Sequence, residues 1–126
     1  MYSLKKIDFK MTASYDYKYD ILDLIIDENY EYQRSLELEY GVILDFDKQN
    51  RPVSLEMLDA SKKLNLNKNN LINPNIHMSV IVDKESIKLE VEVFYQIHNQ
   101  KQTQPFDLNI KNEYNIPSIQ TELASA

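Results

Sequence analysis

Apolar and polar residues alternate with a period of two along most of this chain. That pattern dictates sheet, because successive side chains of a strand point to opposite faces. Ile7, Phe9, Met11, Ala13 and Tyr15 alternate with Asp8, Lys10, Thr12, Ser14 and Asp16, which predicts a half-buried strand. Asp16 to Asp20 reads as a turn, and Leu22, Leu24 and Ile26 give a second strand. Asp27 to Tyr30 turns again. Leu36, Leu38 and Tyr40 then alternate with Glu37 and Glu39 until Gly41 breaks the run. Val42, Leu44 and Phe46 face Val53, Leu55 and Met57 across the polar stretch Asp47 to Pro52, predicting a hairpin of Val42–Phe46 with Val53–Leu58. The first half is therefore expected to be a five-stranded antiparallel meander.

Asp59 has the chemistry of a helix N-cap, with a short helix over Ala60 to Leu66. Asn65 to Asn75 holds six asparagines and Pro74, the composition of a linker or an irregular helical segment. The strand period resumes at Ile76, Met78, Val80 and Val82, and again from Ile87 to Ile97. A turn at Lys84-Glu85 would place Val82 opposite Ile87, Met78 opposite Val91 and His77 opposite Glu92, putting both apolar sets on one face. His98 to Pro105 reads as a polar loop, and Phe106, Leu108 and Ile110 as a last short strand. Ile116, Ile119 and Leu123 have helical spacing in a tail short enough to fray. The fold class expected is α+β: a meander and helix, then a hairpin and one more strand, in a single domain over residues 1–126.

Composition removes several functions. The chain of 126 residues has no cysteine, so it has no disulfide, thiolate metal site or thiol nucleophile. Its net charge is −6, with 9 basic and 13 acidic residues up to Leu64 and 5 and 7 after it. Only Arg34 and Arg51 are arginines, so no basic surface for a nucleic-acid backbone is expected. No apolar run has the length of a membrane span, and Met1 to Lys10 lacks the apolar stretch of a signal peptide, so the expected location is the cytoplasm. One glycine, Gly41, rules out a glycine-rich phosphate loop and leaves asparagine to supply left-handed turn residues.

The segment Tyr40-Gly41-Val42-Ile43-Leu44-Asp45-Phe46-Asp47, followed by Val53-Ser54-Leu55-Glu56-Met57-Leu58-Asp59-Ala60-Ser61, resembles the domain of unknown function 2283. Tyr15-Asp16 with Asp20-Ile21-Leu22 resembles that family's opening, and the likeness covers residues 7–64. Asn50 and Ser54 stand where the family usually has glycine. Residues 75–117 look similar to the strand-rich extension of longer, archaeal members. The resemblance implies a compact strand-helix unit and no catalytic residues, cofactor or metal ligands.

Several constellations nevertheless have chemical candidates in them. Asp45, Asp47, Gln49, Asn50 and Glu56 mimic the ligand spacing of a calcium loop, yet Pro52 and strand-forming Val53 follow and no helix flanks them. His77 and His98 could act as bases or ligands, but both fall on polar strand faces. Asp16, Asp20, Asp23, Asp27, Glu28 and Glu31 cluster around the first two turns and read as a solvated face. Among the tyrosines, Tyr15 and Tyr40 fit core positions. Tyr17, Tyr19, Tyr30 and Tyr32 lie in or beside turns and are the candidate interface. The expected function is a non-enzymatic protein-interaction or regulatory module, antitoxin-like, forming homo-oligomers through those tyrosines or through strand edges. The edges look poorly defended, with Pro105 and the other prolines outside strand interiors. The alternative is a metal-dependent enzyme using the acidic cluster and a histidine.

Overall fold

In the computed structural model, which describes residues 5–125, nine strands pair into one sheet. They are β1 (Lys6–Asp16), β2 (Ile21–Ile26), β3 (Tyr32–Glu39), β4 (Val42–Asp47), β5 (Pro52–Leu58), β6 (Asn75–Val82), β7 (Ser86–Ile97), β8 (Gln100–Lys111) and β9 (Ile119–Ser125). A five-residue helix α1 (Ala60–Leu64) and a 3-10 turn (Lys68–Leu71) separate β5 from β6. The protein is thus mainly β rather than α+β. None of its described helices is long and apolar enough to cross a membrane. Residues 1–4 and 126, which the single-domain expectation included, lie outside the described residues.

The spatial order is β3-β4-β5-β2-β1-β9-β6-β7-β8. The first five strands are the ones expected, and Val42 to Asp47 does pair with Pro52 to Leu58, but they are not a meander. β2 lies between β1 and β5, with Leu24 opposite both Ala13 and Leu55. Residues 27–31 carry the chain over the β4–β5 turn, where Lys48 N donates to Glu31 O at 2.8 Å. Side chains account for this order. β2 is apolar on its inner face and carries Ile21 and Ile25 on the other, so an interior place suits it. β3 presents Ser35, Glu37 and Glu39 to solvent and tolerates the edge. β2 to β5 form a Greek key, and β6 to β9 form a second.

The tail is the largest departure from expectation. Ile119 to Ser125 is neither helical nor frayed. It is β9, parallel to β1 and antiparallel to β6, and it joins the two halves. Asn112 directs it there: its side chain donates to Asp83 O and Ile116 O and accepts from Ile116 N, at 2.9, 2.9 and 3.1 Å. Nor is 98–105 a loop. His98 and Asn99, at φ of 50° and 62°, make a two-residue turn, and β8 begins at Gln100. Pro105 is therefore inside a strand, where only an edge strand accepts proline. In the β6–β7 hairpin the register is the expected one, with His77 opposite Glu92 and Val82 opposite Ile87.

One face of the sheet holds the core. Leu36, Leu44, Leu55 and Leu24 run across one half of it, and Phe9, Leu123, Met78 and Val91 across the other. Leu44, Leu55, Leu89 and Val91 are each at most 1% exposed. A nine-stranded sheet with one apolar face must curl to hide it. Accordingly α1, which follows β5, reaches the far edge strand β8. Leu64 and Leu71 are buried there. Among the described residues, asparagine supplies five of the eight non-glycine positions with positive φ (Asn50, Asn65, Asn73, Asn99 and Asn115), as the shortage of glycine demands.

β9 carries one flaw. Thr121 faces inward, fully buried, and its hydroxyl has no hydrogen-bond partner. Replacing Thr121 by Val removes an unsatisfied polar group at constant shape and is expected to raise stability by about 1 kcal/mol. Leu123→Ala opens a cavity at the junction of the halves and is expected to cost about 2–5 kcal/mol. Denaturant midpoints of the two variants check both; a stabilising Leu123→Ala or a destabilising Thr121→Val would contradict this packing.

Candidate functional site

The β1–β2 turn, the β3–β4 turn and the start of α1 lie together at one end of the sheet, where Leu58 N donates to Gly41 O and Ala60 N to Asp20 O. Asp20 organises this end. It is 6% exposed with φ of 57°, and it is not part of a solvated acidic face. Its Oδ1 accepts from Tyr15 Oη at 2.6 Å and from Ser61 N at 2.9 Å, while Oδ2 accepts from Ser61 Oγ at 2.6 Å. The expected cap, Asp59, makes no side-chain cap bond. Asp20 takes that role from 41 residues away in the chain, satisfying a first-turn amide of α1.

Burial pushes the Asp20 carboxyl up, but the bonds from Ser61 and Tyr15 outweigh it and hold the carboxyl below its ordinary range. Burial, the hydrogen bond and the charge of Asp20 raise the Tyr15 phenol well above its usual value. Both residues are thus fixed in the protonation states that hold α1 to the sheet. Gly41 matters for a steric reason: with φ of +76°, a Cβ there would lie 3.1 Å from Leu58 Cβ and 2.9 Å from Lys63 Nζ.

Tyrosines and lysines cover the outside of this end. Lys68 Nζ lies 5.2 Å from the Tyr17 ring centre and donates to Tyr17 O at 3.1 Å. Lys18 lies over Tyr19 at 5.2 Å and Lys63 over Tyr40 at 5.8 Å. Tyr17, Tyr19 and Tyr40 are 51%, 64% and 78% exposed. Tyr40 is not core, because β3 shifts register between Glu37 and Glu39 and the tight turn at Gly41 follows. The other two candidate tyrosines are elsewhere. Tyr30 and Tyr32 sit at the opposite end, where Tyr30 packs on the core and Tyr32 Oη meets Ser35 Oγ at 2.7 Å. The sequence-derived set therefore divides: Tyr17 and Tyr19 belong together, joined by Tyr40, while Tyr30 and Tyr32 stand apart.

The remaining candidates are also dispersed. Asp27 accepts from Thr12 at 2.6 Å, Glu28 lies 3.5 Å from Arg51 and Glu31 3.4 Å from Lys48, all at the end opposite Asp20. Asp16 and Asp23 are on the outer face; burial and then the charge of Asp16 raise the Asp23 carboxyl. In the calcium-like stretch, Asp47 accepts from Gln49 N, Arg51 N and Arg51 Nε, and Asp45 accepts from Ser35 and Ser54. His77 Nε2 lies 2.9 Å from Glu122 Oε2 on β9, rather than meeting Glu92, and His98 sits in the β7–β8 turn. The strands β9 and β1 separate His77 from the acidic residues of β2.

The Asp20 network makes a signed expectation. A carboxyl held below its ordinary value of 3.8 in the fold takes up a proton on unfolding in acid. Its stabilisation is complete above that value and is lost as the pH falls through the lower, folded one. Asp20→Ala is expected to cost about 2–3 kcal/mol at neutral pH, from the lost cap and the orphaned donors. Asp20→Asn should show a flatter loss of stability in acid than the wild type. An acid limb of equal slope in both would contradict the assignment.

The comparisons with known proteins fall on these same elements. The family model for a protein of unknown function (DUF2283) matches residues 13–61, from within β1 to the start of α1. A protein of Methanosarcina mazei carrying the name "Putative hypoxanthine phosphoribosyltransferase" is 28% identical over 109 residues, 85% of this chain and 88% of its own. An uncharacterized protein of Methanocaldococcus jannaschii is 30% identical over 87 residues, 68% of this chain and 73% of its own. No solved structure matches the chain. The matched segment holds Tyr15, Asp20, Gly41 and Ser61, whose contacts dock α1 on the sheet, and the chain belongs to the DUF2283 family.

Proposed function

We propose that this protein is a non-enzymatic interaction module of regulatory, antitoxin-like type, which acts inside the cell without a cofactor and self-associates. The observation that supports this reading is the end of the sheet built by the family segment. Asp20, the buried acid at that end, is fully engaged in holding α1. Its outer surface offers Tyr17, Tyr19 and Tyr40, each steadied by a lysine. Tyrosine buries a large area at low entropic cost and keeps a polar tip, which suits a protein partner. Self-association draws support from the sheet itself, which leaves β3 and β8 as edges.

The name of the Methanosarcina mazei relative does not guide this reading. Transfer of a phosphoribosyl group calls for a loop that cradles phosphates with backbone amides. The only glycine here, Gly41, closes a tight hairpin against Leu58.

The test is capture of a binding protein from native lysate by the wild type and by a Tyr17→Ala/Tyr19→Ala/Tyr40→Ala variant. These side chains are exposed, so the variant is expected to fold. Loss of the captured protein with an unchanged melting curve is the expected result. Equal capture by both proteins would contradict the assignment of the partner surface.

A further inference from the structure

β8 is an edge strand, paired in the sheet with β7 on one side. Asn112 N donates to Glu85 O at 2.9 Å, one step beyond the Ser86–Lys111 pair. Hydrogen-bonded pairs alternate along an antiparallel ladder, so Ile110, Leu108 and Phe106 exchange their backbone bonds with β7. The N–H and C=O groups of Asp107, Asn109 and Lys111 therefore face outward, away from β7. Pro105, opposite Glu92, is the next outward-facing residue and has no N–H to give. The usable edge is thereby bounded: Pro105 ends it on one side and the end of β8 at Lys111 on the other.

We propose that two copies join through this stretch, β8 to β8 and antiparallel, about a twofold axis at Asn109. The proposal rests on the reading of the protein as a self-associating module and names the surface. In that register Asn109 meets its own copy, and Asp107 lies opposite Lys111 of the second copy, twice by symmetry. The pairing is self-complementary in charge, although the chain as a whole carries −6. Leu108 comes opposite Ile110 of the second copy. Both are half-buried members of the inner face, so the apolar row Val80, Leu89, Leu108 continues across the junction. Such a contact is isologous and closes at two subunits.

The opposite edge does not offer this. β3 shifts register between Tyr32 and Arg34 and again between Glu37 and Glu39, which breaks a straight ladder. Its exposed side chains include Glu37 and Glu39, which would meet like charges across many self-pairings.

Charge reversal tests the register. Asp107→Lys places lysine opposite lysine, and Lys111→Asp places aspartate opposite aspartate. Each is expected to weaken the dimer about tenfold or more in sedimentation equilibrium. The double variant Asp107→Lys/Lys111→Asp restores opposite charges at both positions and is expected to dimerise like the wild type. An equimolar mixture of the two single variants should also recover the dimer. A dimer indifferent to all three variants would overturn the β8 register while leaving self-association standing. A wild type that stays at 14.9 kDa over the whole concentration range would overturn both.

Discussion

The last strand holds this molecule together. β9 lies between β1 and β6, parallel to the first and antiparallel to the second, and its pairing with β1, which borders the first Greek key, is the strand pairing that links the two halves of the sheet. Its inner side chains, Ile119, Thr121 and Leu123, continue the apolar rows of both halves. Parallel neighbours need a long connection between them. Here nearly the whole chain is that connection, from Asp16 to Ile119. Much of the ordering entropy must therefore be met before the β1–β9 contact can form, which places its closure late in folding.

A second long-range contact positions the surface. Asp20 in the first turn caps α1 through Ser61, and Tyr15 closes the network from β1. The helix is too short to be stable alone, so this docking and the burial of Leu64 are what keep it formed. The same turn then presents Tyr17 and Tyr19 outward. One local geometry thus ties the residues of the family segment to the exposed tyrosines beside them, and the matched span of 13–61 contains both.

Much of the fold was legible from alternation alone. The boundaries of β1, β2, β4 and β5 and the register of β6 on β7 follow from where apolar residues recur, because a slip of one residue would expose a whole face. Strand order was not legible, since alternation sets which face is buried and not which neighbour is taken. β9 was hidden because a threonine stands at its central inward position, leaving Ile116, Ile119 and Leu123 to mimic a helix. β8 was shortened because its first residues are glutamines, lysine and threonine around a proline, on an arm that runs past the last β6 pair at Phe94. Asp20 was misjudged for a different reason. Its burial depends on a residue 41 positions away, and the one available hint was its place in the family motif.

If β9 unites the halves, its amides should open only when the whole sheet opens. Native-state hydrogen exchange measures this directly. The amides of Thr121 and Leu123 are expected to exchange with the same opening free energy as those of Leu24 in the first half and Val91 in the second. Exchange at β9 through a distinctly cheaper opening, with Leu24 and Val91 still protected, would contradict the account and leave two sheets that fold without it.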